Sequence, residues 1–137
     1  MTITCCLKGG KAVFTFPMGA IKCPGAPQKI VYMAEENWRQ KGIKADIEFR
    51  SSLGVLFGVK KYADALWEVV KGRGINVHLK QNLVEVRPET KEAVFENLDS
   101  GQSNTTNNIC STWVLTLSSK VHITNINLRT STKTMDP

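Results

Sequence analysis

An α/β fold of order β-α-β-α-β-β-β is predicted by three observations. Residues 11–16 are rich in β-formers and stop at Pro17. Residues 45–50 alternate Ala45, Ile47 and Phe49 with Asp46, Glu48 and Arg50, the two-residue period of a strand. Val59, Tyr62, Ala63, Leu66, Val69 and Val70 repeat at helical spacing before Gly72 and Gly74.

The elements follow in order. After the first strand, residues 19–26 read as a loop. Pro27 suits the first turn of a helix, because its missing N–H would be unpaired there anyway. Val31, Ala34 and Trp38 line one face of that helix, which runs to about residue 41 and stops at Gly42. The strand 45–50 follows, then a glycine-bearing turn over 51–58, then the second helix. Ile75, Val77 and Leu79 alternate as a third strand. Residues 83–87 and 92–97 read as a hairpin across the turn Pro88-Glu-Thr-Lys91. The first five elements describe a parallel unit with right-handed crossovers, a partial Rossmann-like sheet.

Composition changes near residue 100. Ser, Thr and Asn number nine between residues 8 and 100, but 18 of the 37 residues from 101 to 137, where Asp136 is the single acid. Val114 to Leu117 and Val121 to Ile126 alternate as strands do, yet little charge protects their edges. The expected organisation is an irregular segment over 1–7, a Rossmann-like unit over 8–100, and an irregular Ser/Thr/Asn-rich tail over 101–137, disordered or out of frame.

The bulk properties exclude several classes. A length of 137 residues suits one domain, and 42% apolar with 22% charged residues is ordinary globular composition. The net charge of +6 is spread along the chain without a basic stripe, so nucleic-acid binding has little support. The amino-terminal residues lack the pattern of a secretory or transit segment. No apolar run approaches the roughly 20 residues of a membrane helix. Cys5, Cys6, Cys23 and Cys110 form neither a disulfide framework nor a metal-ligand spacing.

Cys23 is the candidate catalytic residue. It follows a strand's carboxyl end and precedes a helix start, and Lys22 adjoins it. Positive charge and free helix N–H groups favour a thiolate, the nucleophilic form. The alternative is a buried, inert cysteine. The 51–58 turn has glycines that let an anion approach, but it lacks the G-x-G-x-x-G dinucleotide fingerprint, and the next strand ends in Lys80 rather than an acid. It reads as a packing turn with weak anion contact left open. Lys60 and Lys61 oppose the dipole of the helix they begin, which hints at a nearby anion or acidic partner. His78 reads as a solvated histidine, and Trp38 and Trp67 as packing residues.

Three long motifs carry a family resemblance. They are Thr15-Phe-Pro-Met-Gly-Ala-Ile-Lys-Cys-Pro-Gly-Ala-Pro-Gln-Lys-Ile-Val-Tyr-Met33, Ser52-Leu-Gly-Val-Leu-Phe-Gly-Val-Lys-Lys-Tyr-Ala-Asp-Ala-Leu66, and Asn82-Leu-Val-Glu-Val-Arg-Pro-Glu-Thr-Lys-Glu-Ala-Val-Phe-Glu-Asn-Leu98. Together, over about residues 7–100, they resemble the central part of mitochondrial-type sulfide:quinone oxidoreductases. The resemblance implies the second nucleotide-type domain of a flavoprotein with two dinucleotide domains. It implies FAD in the parent enzyme, hydrogen sulfide and ubiquinone as substrates, and a small sulfane acceptor such as sulfite or glutathione. It also implies a mitochondrial inner-membrane location. Cys23 matches the first of two redox cysteines, the one that holds sulfane sulfur near the flavin.

The FAD fingerprint and the second cysteine, in its Gly-Asp-Cys context, have no match in these 137 residues, and Cys110 does not take that role. The expectation is a fragment that is inactive alone and binds no cofactor by itself. The alternatives are a stand-alone nucleotide- or coenzyme-binding module and an interaction fragment that docks on the full-length enzyme.

Overall fold

The computed structural model describes residues 9–19, 21, 23–117 and 121–127, and from residue 110 onward the backbone alone. Alternation and helical period resolve into ten elements. They are β1 (Gly10–Phe16), α1 (Ala26–Gln40), β2 (Ala45–Ser51), α2 (Lys60–Gly72), β3 (Asn76–His78), β4 (Gln81–Arg87), β5 (Glu92–Asn97), β6 (Ser103–Thr106), β7 (Ile109–Leu117) and β8 (Val121–Asn127). The first seven follow the expected order.

β3, β2 and β1 are parallel neighbours, with Phe14 opposite Phe49 and Glu48 opposite Asn76. The hairpin β4–β5 does not extend that sheet. It joins β6 in a separate antiparallel sheet of order β4-β5-β6. β7 lies parallel to β1 on its other side, and β8 runs antiparallel to β7, so the main sheet reads β3-β2-β1-β7-β8. Three strands thus fall beyond residue 100. The alternating stretches at 114–117 and 121–126 lie in β7 and β8.

The parallel strands β1 and β2 are covered on both faces. Ala12, Phe14 and Phe16 from β1 and Ile47 and Phe49 from β2 pack against Val31, Ala34 and Trp38 of α1 and Val70 of α2. Trp38 meets Phe14 at 6.1 Å between ring centroids, a contact that adds about 1 kcal/mol beyond its buried area. The alternate residues face the small sheet. There Val13 and Ile109 close on Ala93 and Phe95. The result is three layers: helices, mixed sheet, antiparallel sheet.

The inter-sheet layer also buries charge. Glu48 and Arg50 are buried. The Glu48 carboxylate accepts from Lys11 Nζ at 2.7 Å and from Arg50 Nε and Nη2 at 3.0 and 2.8 Å. Burial pushes the Glu48 carboxyl up, but these hydrogen bonds and the two positive charges outweigh it and hold the group below the usual carboxylate range.

The helices end where the sequence places glycine. Gly42 follows α1 at φ +67 and Gly74 follows α2 at φ +65, a region that disfavours a Cβ. Arg73, the residue after α2, donates to Glu35 of α1 and locks the two helices together.

Candidate functional site

The carboxyl ends of β1, β2 and β3 lie along one edge of the sheet, where open α/β folds place ligands. Three connections meet there. The first is the loop after β1, which carries Cys23. Cys23 is exposed and free, and its carbonyl accepts the Ala26 N–H at 3.1 Å. Gly25 caps α1 without a side chain, and the first turn holds no acid. The positive end of α1 therefore opens toward the loop with no carboxylate to neutralise it. The expected geometry of a thiol just before a helix start is present, and the buried alternative is not. Lys22 lies outside the described residues, as do Cys5 and Cys6 and the side chains of Cys110 and His122.

The second connection is the stretch 52–59. Ser52 N–H donates to the Phe16 carbonyl at 3.0 Å, and Ser51 Oγ accepts the Leu53 N–H at 3.1 Å. The buried Gln28 amide, in the first turn of α1, donates to the Leu56 carbonyl. The cysteine loop and the glycine turn are thus held against each other. Sequence reasoning passed over Gln28. Its signal was a polar residue three positions before Val31, on the face that turns inward.

The third connection holds Lys80. Its backbone takes φ +56, its N–H donates to the Leu53 carbonyl at 3.0 Å, and its stem crosses Gly54. A Cβ on Gly54 would sit 3.1 Å from Lys80 Cε, so glycine lets the lysine stem pass without being displaced. Lys80 Nζ ends on both Asp99 oxygens at 2.7 Å. Beside it a groove of about 350 Å³ is lined by Gly54, Leu56, Phe57, Lys60, Trp67 and Leu79. Lys60 pairs with Asp64 at 3.1 Å. The two lysines at the groove are therefore already matched by carboxylates, which weakens the anion-binding alternative.

His78 is not part of this edge chemistry. It sits in register with Arg50 in the inter-sheet row. Partial desolvation first, and the Arg50 charge second, hold its imidazole below the ordinary value. Among the described residues no group of three His, Cys, Asp or Glu could hold a metal ion. None of the described helices is long and apolar enough to cross a membrane.

No family model matches the chain. Individual relatives do. The mouse protein named sulfide:quinone oxidoreductase, mitochondrial, is 55% identical over 94 residues, 67% of this chain and 21% of its own. Over that stretch the chain belongs to the mitochondrial sulfide:quinone oxidoreductase family. The fission yeast Schizosaccharomyces pombe member is 43% identical over 98 residues, 69% of this chain and 21% of its own. The chain spans about a fifth of the length of these sulfide:quinone oxidoreductases, which agrees with a fragment of the parent enzyme.

Solved structures agree on the fold. The sulfide:quinone oxidoreductase from Aquifex aeolicus superposes with a TM-score of 0.61 at 17% identity, over 73% of this chain and 24% of that one. A pyridine nucleotide-disulfide family oxidoreductase from Enterococcus faecalis superposes at 0.53 with 9% identity, over 74% and 21%. The partial Rossmann-like reading stands on these neighbours and on the parallel strands.

Proposed function

We propose that this chain presents the sulfur-holding cysteine of a sulfide:quinone oxidoreductase, and that these 137 residues alone do not turn over. The observation that carries the reading is the exposed Cys23 thiol, two residues before the Gly25 cap of α1, in the loop that leaves the carboxyl end of β1, where open α/β sheets place ligands. An exposed thiol at a helix start is reactive chemistry, whereas a structural cysteine is buried. The parent enzyme oxidises hydrogen sulfide and passes electrons through FAD to ubiquinone on this reading. Its setting is the mitochondrial inner membrane, as the relatives' mitochondrial names suggest.

The residues present do not fit the flavin. In a dinucleotide fold the first βα turn carries the glycine fingerprint, and an acid about 20 residues on holds the ribose. Here that turn is residues 17–25, with Gly19 and Gly25 at the wrong spacing, and β2 ends in Arg50 and Ser51. FAD therefore belongs, on our reading, to the larger part of the family's chains that these residues do not include. What this chain supplies is a thiol, held open to solvent, and the loop framework that positions it.

The test is sulfur loading. The chain is treated with an inorganic polysulfide, and the Cys23 peptide is read by mass spectrometry. The thiolate attacks a sulfane sulfur, an Sγ–S bond forms, and the shortened polysulfide leaves. A one-sulfur mass increase at Cys23, reversed by a thiol reductant and absent in Cys23→Ser, is the expected result. An unmodified Cys23 in the folded chain overturns the assignment. Sulfide-dependent quinone reduction by the chain alone overturns the claim of inactivity.

A further inference from the structure

The groove between the 52–59 stretch and α2 has the walls of a site for a flat ring. It spans about 350 Å³, within the range of small-molecule sites, about 300–1,000 Å³. Gly54 to Gly58 line it in one unbroken run, and Trp67 and Leu79 add aromatic and aliphatic surface. Phe57 meets Tyr62 edge-on at 6.4 Å, which steadies its ring. The run follows the carboxyl end of β2, the edge where open α/β sheets place ligands.

The side-chain charges at the groove cancel. Lys60 pairs with Asp64 at 3.1 Å, and Lys80, whose stem crosses Gly54, pairs with Asp99 at 2.7 Å. The polar capacity that remains is main-chain. Among the described residues, the N–H groups of Gly54, Val55, Leu56, Phe57 and Gly58 make no hydrogen bond, and neither do the carbonyls of Gly54, Val55 and Phe57. The Leu56 carbonyl is taken by Gln28. Glycine at 54 and 58 leaves this backbone open to close approach.

These observations select a ligand class. The ring is flat, to lie on Phe57 and Trp67, and uncharged, because the cations are matched. Its edge carries both donors and acceptors, to meet free N–H and C=O groups. A purine base has this combination, with ring nitrogens that accept and an amino group that donates. A quinone ring carries acceptors alone, and a phosphate needs an unpaired cation. We propose that this groove binds the base of a purine nucleoside, with the ring on the two aromatic side chains and its edge on the main chain of 54–58. The glycine fingerprint that the chain lacks serves a pyrophosphate, not a base, so the site takes a nucleoside without its phosphates. Cys23 has no part in it.

The experiment is a titration of the full chain, followed by the amide and indole signals in nuclear magnetic resonance. Adenosine is the probe, with inorganic phosphate and benzyl alcohol as comparators. Adenosine should bind with a dissociation constant of about 1 mM or tighter. Its shifts should gather at 54–58 and at the Trp67 indole. Two variants test the walls, with circular dichroism to check that each is folded. Phe57→Leu removes a ring. A Cβ on Gly58 meets no atom within 4 Å, so Gly58→Leu fills space in the groove without displacing a neighbour. Each should weaken adenosine at least about fivefold, the loss of one stacking contact, and Cys23→Ser should leave it unchanged. Absent shifts, or shifts that gather elsewhere, overturn the proposal. A response to phosphate at the same residues would make this an anion site, and an equal response to benzyl alcohol would make it an unselective apolar surface; either result overturns the proposal. So do variants that bind adenosine as the wild type does.

Discussion

The Arg50 guanidinium lies 4.4 Å from the centroid of the Phe95 ring, so a charge of the main sheet rests on the core aromatic of the small sheet. Phe95 is completely buried, and Arg50 holds Glu48 at the same time. One side chain therefore satisfies a buried carboxylate and joins two layers that share no strand.

Removing that side chain separates the two roles. Arg50→Ala leaves the buried Glu48 with Lys11 as its remaining cation and should cost about 3 kcal/mol. Arg50→Lys keeps the charge but loses the flat stack and the fork onto Glu48, and should cost about 1 kcal/mol. Urea unfolding midpoints measure both. Equal losses for the two variants would refute the stacking contribution.

Acid should unfold the protein through Glu48. Its carboxyl is held below the unfolded value of about 4.3. A depressed folded value means the stabilisation is fully present above that pH and is lost as pH falls through the folded value. Stability should therefore drop below about pH 4, and more steeply in the wild type than in Glu48→Gln. Thermal melts from pH 7 to 3 would show it. Identical slopes for the two proteins would assign the acid limb to other groups.

Gln28 should hold the cysteine loop and the 52–59 stretch together. Gln28→Ala leaves the buried Leu56 carbonyl without its donor and should cost about 1–3 kcal/mol. Hydrogen exchange should quicken in 52–59 before it does in β1 or β2. Uniform exchange across the chain would place the loss in global stability instead.

Gly54→Ala should be felt only through Lys80. The new Cβ would press on Lys80 Cε at 3.1 Å, and the lysine can yield by leaving Asp99. The expected cost is about 1 kcal/mol, and it should vanish in a Lys80→Ala background. A cost that persists there would locate the strain in the backbone of 52–59.

Much of the first hundred residues was legible as local pattern. The period of two in 45–50, the helical period of 59–70, Pro27 and the glycines at 42 and 74 each act within a few residues, so β2, α2 and the helix ends follow from them directly. The place of Cys23 before a helix start was equally local. The groups that fix its surroundings were not. Gln28 and Leu56 lie 28 residues apart, and Lys80 reaches Asp99 across a turn of the second sheet. No periodicity announces such pairs.

Up to residue 100 the sequence by itself determined which segments become strands and helices, and that one face of most of them is apolar, because those properties repeat every two or 3.6 residues. The tertiary structure alone decided what covers the other face. The charged side of β2 lies under Phe95 rather than in water, the hairpin forms its own sheet with β6, and β1 takes β7 as a neighbour from nearly a hundred residues away. Tyr62 and Val69 share the apolar period of α2 yet remain in solvent. Hydrogen bonds between strands and the burial of a face depend on which distant segment arrives, and that choice belongs to the whole chain at once.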